Sequence, residues 1–129
     1  MSIVFEKIGV IRTPYKESKD APRQPRYSRK ISSKVILEEG YQKGLKGIEQ
    51  FSHIVLIFYI DRSHGYELET HPHSSPEKRG VFATRSPHRP NNIGVSVVKL
   101  DRVEKNILYI ENADMLDNTP LLDIKPYID

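Results

Sequence analysis

The densest run of chemically capable side chains lies between Gly80 and Gly94, GVFATRSPHRPNNIG. Arg85, Ser86, His88, Arg89, Asn91 and Asn92 crowd around Pro87 and Pro90. The two prolines fix φ and stiffen the loop. A rigid loop loses less entropy when a ligand docks. Two guanidiniums offer planar, forked donors to a carboxylate or a phosphate. His88 can give or take a proton near neutral pH. The plainer reading is a proline-stiffened corner with exposed charges. The concentration of donors on one loop favours a binding role over it.

A second segment runs from Asp114 to Tyr127, DMLDNTPLLDIKPY. Asp117-Asn118-Thr119-Pro120 reads as a turn whose side chains bond their own backbone. Asp123 and Lys125 stand two residues apart, so on a strand they share one face. Lining a pocket, they would orient a ligand or move a proton. Facing water, they would form a surface pair worth roughly 0–1 kcal/mol. Position alone favours the surface pair. A third segment, Pro22-Arg23-Gln24-Pro25-Arg26-Tyr27, alternates cations with prolines and ends in an aromatic ring. Such an arm suits phosphate contact and base stacking, and a solvated loop explains it equally well. His71-Pro72-His73 has metal-ligand residue types, with His64, Glu67 and Glu69 near in sequence. No helix sets their spacing, so solvated side chains are the expectation and no metal is assigned. His53 opens the most apolar stretch and reads as a hydrogen-bonded core residue.

The elements that must carry these segments are short strands. Ile3 to Arg12 is the first, ended by Pro14. A polar stretch to about residue 30 follows, long enough to be functional or disordered. Ile31 to Leu37 is the second strand. Glu39 to Gln50 is the one helical candidate, weakened by Gly44 and Gly47. His53 to Ile60, HIVLIFYI, is nearly all apolar and β-branched or aromatic, so it reads as a central strand. A polar loop over 62–79 precedes a short strand from Val81 to Thr84. Ile93 to Leu100 and Ile107 to Glu111 are joined through Glu104-Lys105-Asn106, a hairpin turn. Leu121 to Tyr127 is the last. Six or seven strands and at most one helix predict an all-β barrel or sandwich.

The chain has 129 residues and no cysteine. That length suits one domain, taken as residues 1–129, with a core large enough to fold unaided. Without thiols, disulfides, thiolate catalysis and Cys-ligated zinc are excluded. The longest apolar run, Ile54 to Ile60, is too short to span a bilayer as a helix, and Met1 is not followed by a signal-type apolar stretch. A soluble cytoplasmic protein, with no membrane partner, is the expectation. Residues 1–34 hold nine Lys/Arg against three Asp/Glu, whereas residues 101–129 hold three against seven. The basic N-terminal end suits a polyanion such as RNA, or simply water. The glycines give neither GxGxxG nor GxxxxGK[ST], and HExxH and GxSxG are also missing. A Rossmann-type cofactor site is therefore not expected.

Taken together, IGVIRTPYK with PRQP, GIEQFSHIVLIF, GVFATRSPHRPNNIGVSVVKL and DMLDNTPLLDIKPYI resemble the TrmO family of tRNA methyltransferases over residues 8–128. The resemblance implies a non-Rossmann β-barrel that uses S-adenosyl-L-methionine (SAM) and works as a homodimer. It implies methylation of N6 of the threonylcarbamoyl-adenosine next to the tRNA anticodon. Carried over position by position, the cofactor residues would be Pro25, Arg26, Tyr27, Asp61, Arg62, Arg85, Val95 and Asp114. Arg85 would hold the SAM carboxylate. RNA would meet Arg23, His88 and Arg89, while Asp123 would act as base or orienter and Lys125 would stabilise developing negative charge. The sequence departs from the family pattern at Asp61, where histidine is frequent, and at Asn92, where proline is common. Many bacterial members carry a C-terminal domain after KPY, and this chain is expected to be a short form that grips RNA with the barrel and its dimer partner. Two other outcomes stay open at this stage. One is a SAM- or RNA-binding module without turnover. The other is a SAM-dependent methyltransferase acting on another substrate.

Overall fold

Burial at every second residue turns one face of each strand inward. In β3 (His53–Tyr59), Ile54, Leu56 and Phe58 are buried and their neighbours are not. The same period of two runs through β1 (Gly9–Arg12), β2 (Ser33–Leu37), β6 (Ile93–Glu104) and β7 (Ile107–Glu111). With β8 (Thr119–Pro126) these strands close into an antiparallel barrel in the order β1-β2-β7-β6-β3-β8. Closure pairs every edge, the usual remedy for unpaired strand borders. Ile11, Val35, Ile54, Leu56, Leu108 and Ile110 are fully buried inside it. The computed structural model describes residues 1–17, 32–71 and 76–128. Among them no helix is long and apolar enough to cross a membrane.

The predicted all-β barrel is the observed architecture, and β3 is central, flanked by β6 and β8. Local departures have physical causes. Only Gly9–Arg12 of the predicted Ile3–Arg12 strand is paired, because β2 ends opposite Gly9 at Leu37 and Ile3, Val4 and Phe5 stay exposed. The helical candidate forms as two 3-10 segments, Glu39–Leu45 and Ile48–Gln50, separated at Gly47 with φ 88°. The predicted strand Val81–Thr84 is a correction: Val81–Ala83 is a 3-10 turn. There the Thr84 hydroxyl and amide both donate to the Val81 carbonyl, a local closure that competes with strand pairing. The pairing in this region belongs instead to a small ribbon of β4 (Glu69–Thr70) and β5 (Arg79–Gly80). The predicted hairpin between β6 and β7 is present, with Lys105 at φ 56°.

Strand direction decides where the long connections go. Arg12 pairs with Lys34, Ile11 with Thr119 and Tyr59 with Ile93. The end of β1, the start of β2, the end of β3, the start of β6, the end of β7 and the start of β8 therefore share one mouth of the barrel. Three connections, residues 13–32, 60–92 and 112–118, leave from that mouth. The opposite mouth has the 3-10 segments and the β6–β7 turn, tied together by Asn106 donating through Nδ2 to the Leu37 carbonyl at 2.6 Å.

Candidate active site

The loop over residues 84–92 is braced from within. Arg89 donates through Nη1 to the carbonyls of Thr84 and Ser86, both at 3.0 Å. Asn92 donates through Nδ2 to the Pro87 carbonyl at 2.7 Å, and the Ile60 amide donates to the Asn92 carbonyl at 2.8 Å. Ser63, buried just past β3, donates its hydroxyl to the Pro87 carbonyl at 3.1 Å and lies 2.8 Å from His88 Nδ1. Both contacts are satisfied when His88 has its proton on Nδ1, which leaves Nε2 as the acceptor. The loop is thus a preset platform that presents Arg85 and His88, two exposed side chains.

The connection over residues 112–118 holds two carboxylates in opposite states. Asp117 is 3% exposed and accepts from Arg12 Nε at 2.8 Å, Lys16 Nζ at 2.6 Å and the Thr13 amide at 3.0 Å. Burial alone would raise its pKa, but these donors outweigh it and hold the carboxyl far below the usual carboxylate range. Arg62 reaches the same turn from the end of β3, donating through Nη2 to the Asp117 carbonyl at 2.6 Å and to Thr119 Oγ1 at 3.3 Å. Its Nε lies 3.3 Å from the Asp61 carboxylate in an exposed pair. Asp114 is different. Burial pushes its pKa up, opposed by the Ser96 hydroxyl, its own backbone amide and the charge of Arg85. Ser96 donates to Asp114 Oδ1 at 2.9 Å from a buried position on β6. A carboxylate displaced this way beside a preset cationic loop makes this mouth a candidate functional site.

Val95 and Asp123 lie on the outer wall near this mouth. Val95 pairs with Ile57 on β3, and Ile57 pairs with Asp123 on β8, so the three form one outward cross-strand row. Asp123 and Lys125 make a 2.9 Å ion pair, 47% and 59% exposed. The structure therefore brings Arg62, Arg85, His88 and Asp114 to one mouth and sets Val95, Asp123 and Lys125 on the wall beside it. Arg23, Pro25, Arg26 and Tyr27 lie outside the described residues. So do Pro72 and His73. His71 Nδ1 is 2.9 Å from the Pro76 carbonyl, and the described residues contain no group of three metal-ligating side chains.

Sequence reasoning missed Asp117, Ser63 and Ser96. Asp117 looked like a self-bonded turn residue, and nothing in its neighbourhood points to Arg12 or Lys16, about a hundred positions away. Ser96 did leave a signal. It is a lone hydroxyl at an inward position of the alternating run IGVSVVKL.

The comparisons with known proteins bear on the family and the barrel. Residues 10–129 match the tRNA-methyltransferase O N-terminal domain. The chain belongs to that family. A Pyrococcus abyssi relative named "Probable S-adenosyl-L-methionine-binding protein" is 48% identical over 99% of this chain and 70% of its own length. The Escherichia coli tRNA (adenine(37)-N6)-methyltransferase is 39% identical over 98% of this chain and 58% of the enzyme. The crystal structure of TrmO from Pseudomonas aeruginosa superposes with a TM-score of 0.84 at 38% identity, over 99% of this chain and 57% of that one. The chain thus spans little more than half of these two bacterial TrmO-family proteins. In the TrmO-type barrel described here, the donor set suits SAM. A half-buried carboxyl, Asp114, stands within electrostatic reach of an exposed guanidinium, Arg85, an arrangement that suits a zwitterionic amino-acid moiety with a nearby sulfonium.

Proposed function

We propose that this chain binds SAM at the three-loop mouth and transfers its methyl group to N6 of threonylcarbamoyl-adenosine beside a tRNA anticodon. The observation that supports it is half-buried Asp114, its pKa pushed up by desolvation, within electrostatic reach of Arg85 on a self-braced loop. Bound SAM supplies a methyl group on an electrophilic sulfonium. Arg85 takes the cofactor carboxylate through a forked contact. Asp114 sets a negative charge against the cationic part, and Val95 offers apolar surface. Asp61 and Arg62 border the same mouth, with Arg62 also holding the 112–118 turn in place. Pro25, Arg26 and Tyr27 complete the cofactor set, and Arg23, His88 and Arg89 meet the RNA.

Asp123 is the base that takes the N6 proton, and Lys125 stabilises charge developing on the acceptor. A carbamoylated N6 is more acidic than an adenine amine, so a modest base suffices and positioning supplies much of the acceleration. Asp123→Asn should lower turnover about 100-fold or more while SAM affinity stays within twofold. Measured by single-turnover methyl transfer and calorimetry, equal losses in both would remove Asp123 from the base role.

A homodimer is part of this reading. Val55, Ile57, Tyr59, Val95 and Val97 form an outward apolar face on β3 and β6, and Tyr59, Val95 and Val97 are at least 36% exposed. Such a face suits a second copy of the chain. Sedimentation velocity at micromolar concentration should show a dimer, and a monomer there overturns that element.

The deciding experiment incubates the purified chain with radiolabelled SAM and two tRNA pools, with and without threonylcarbamoyl-adenosine. Label in the modified pool alone supports the reading. A second reading, cofactor binding without turnover, draws on the Archaeoglobus fulgidus relative named "S-adenosyl-L-methionine-binding protein", of which this chain covers 89%. SAM binding with no label in either pool would favour it.

A further inference from the structure

From the rim of the methyl-transfer mouth down the outer wall, one row of outward side chains crosses four adjacent strands. Arg12 on β1 pairs with Lys34 on β2, Lys34 pairs with Tyr109 on β7, and Tyr109 pairs with Arg102 on β6. Three strand spacings of about 4.8 Å make a strip about 14 Å long. A β-bulge at Asp101 gives β6 an extra residue just before Arg102. The Arg102 guanidinium lies 3.9 Å from the Tyr109 ring centroid, a stacked cationic plate on the barrel wall. The strip borders an open depression of about 450 Å³ lined by Arg12, Ser32, Lys34, Ile36, Tyr109 and Asp117.

The charges there are not used up locally. Asp117 is met by two cations, Arg12 and Lys16, so that cluster keeps a positive excess. Lys34 makes no ion pair with the described residues. Arg102 has two acidic neighbours, Asp101 at 3.3 Å and Glu104 at 3.4 Å, both about half exposed. Such exposed pairs contribute little, and an incoming phosphate can replace them. Lys34, Tyr109 and Arg102 are not among the residues assigned to the cofactor, and Arg12 serves the mouth only through Asp117.

We propose that this strip is a second contact surface for RNA. Arg12, Lys34 and Arg102 hold the phosphodiester backbone, and the Arg102–Tyr109 plate stacks an unpaired base. This rests on the reading that the chain acts on tRNA, and it adds a grip on the side wall of the barrel. Cations flanking an aromatic in a shallow concavity are what a single-stranded RNA segment requires. Phosphate contacts also give the binding a steep salt dependence.

The test uses the full chain carrying Lys34→Glu and Arg102→Glu together, with Lys34→Arg as the conservative control. Arg12 is left alone because it braces Asp117. tRNA affinity is measured from low to moderate salt, alongside SAM affinity and thermal unfolding. The double variant should bind tRNA at least 10-fold more weakly at low salt. Its plot of log affinity against log salt should be shallower by about two, one for each phosphate contact removed. SAM affinity and the unfolding temperature should match wild type, as should all properties of Lys34→Arg. Wild-type tRNA affinity and salt slope in the double variant would overturn the strip, as would a wild-type chain that binds no tRNA. If wild type binds tRNA and the double variant weakens it, but no tRNA is methylated, the strip stands and the methyltransferase reading falls. If methylation proceeds with an unchanged KM for tRNA in the double variant, the strip falls and the activity stands.

Discussion

Asp117→Ala should destabilise the barrel by about 2–4 kcal/mol, a large fraction of the total stability of a small domain. The carboxylate is nearly fully buried and accepts from Arg12, Lys16 and the buried Thr13 amide. Removing it leaves that amide without its acceptor and frees two cations at the junction of β1 and β8. The cations themselves are 44% and 68% exposed, so they can return to water and the loss stays below that of a fully buried pair. Denaturant unfolding should show the midpoint shift, and the unfolding temperature should fall by roughly 10 °C. A midpoint equal to wild type would show that the cluster is dispensable.

The pH dependence follows from the sign of the shift. The folded-state pKa of Asp117 is depressed, so its stabilisation is fully present above the unfolded value of 3.8. It is lost as pH falls below that value toward the folded-state pKa. Asp117→Ala should therefore unfold with a flatter acid limb than wild type, because the titrating group is gone.

Asp114→Asn should act in the opposite sense. SAM affinity should fall about 10- to 100-fold, the range expected when a charge-assisted contact becomes neutral. Stability should hold or rise, since burial already opposes the ionised form of Asp114. Its folded-state pKa is raised, so its linkage term favours the fold at low pH and is lost as pH rises through that pKa. Cofactor binding needs the carboxylate, so SAM affinity should weaken on acidification at a higher pH than an ordinary aspartate would dictate. Ser96→Ala removes one of the interactions that lower this pKa, so the weakening should begin at a still higher pH. Calorimetric titrations across pH read both effects. Wild-type SAM affinity in Asp114→Asn would take Asp114 out of the cofactor site. Three residues apart in one connection, the two carboxylates separate into a structural and a functional role because one has three donors and the other has mainly burial.

Much of this was legible before any coordinates. The nearly unbroken apolar run of β-branched and aromatic residues in His53–Ile60 specified a strand, as did the mostly alternate apolar positions of Ile31–Leu37. The missing glycine fingerprints argued against a nucleotide-binding α/β fold, and the crowding of Arg85, His88 and Arg89 around Pro87 and Pro90 marked a candidate loop. Those are local signals, carried by neighbouring residues. Val81–Thr84 misled for the same reason. Its apolar residues fit a strand, but strand formation needs a partner edge, and the Thr84 hydroxyl closed a turn instead.

Pairing order was beyond the sequence. The side-by-side placement of β1 with β8 and of β3 with β8 joins residues far apart in the chain, and no local pattern encodes a partner that distant. That order sends the connections 13–32, 60–92 and 112–118 to one mouth. It delivers Arg12 to Asp117, sets Ser96 against Asp114 and lines up Arg12, Lys34, Tyr109 and Arg102 across four strands. The sequence by itself determined most of the segments that pleat and the loop where candidate side chains concentrate, since residue type and local spacing suffice for both. The tertiary structure alone decided which of those side chains meet and which are desolvated, because contact and burial depend on the closure of the barrel.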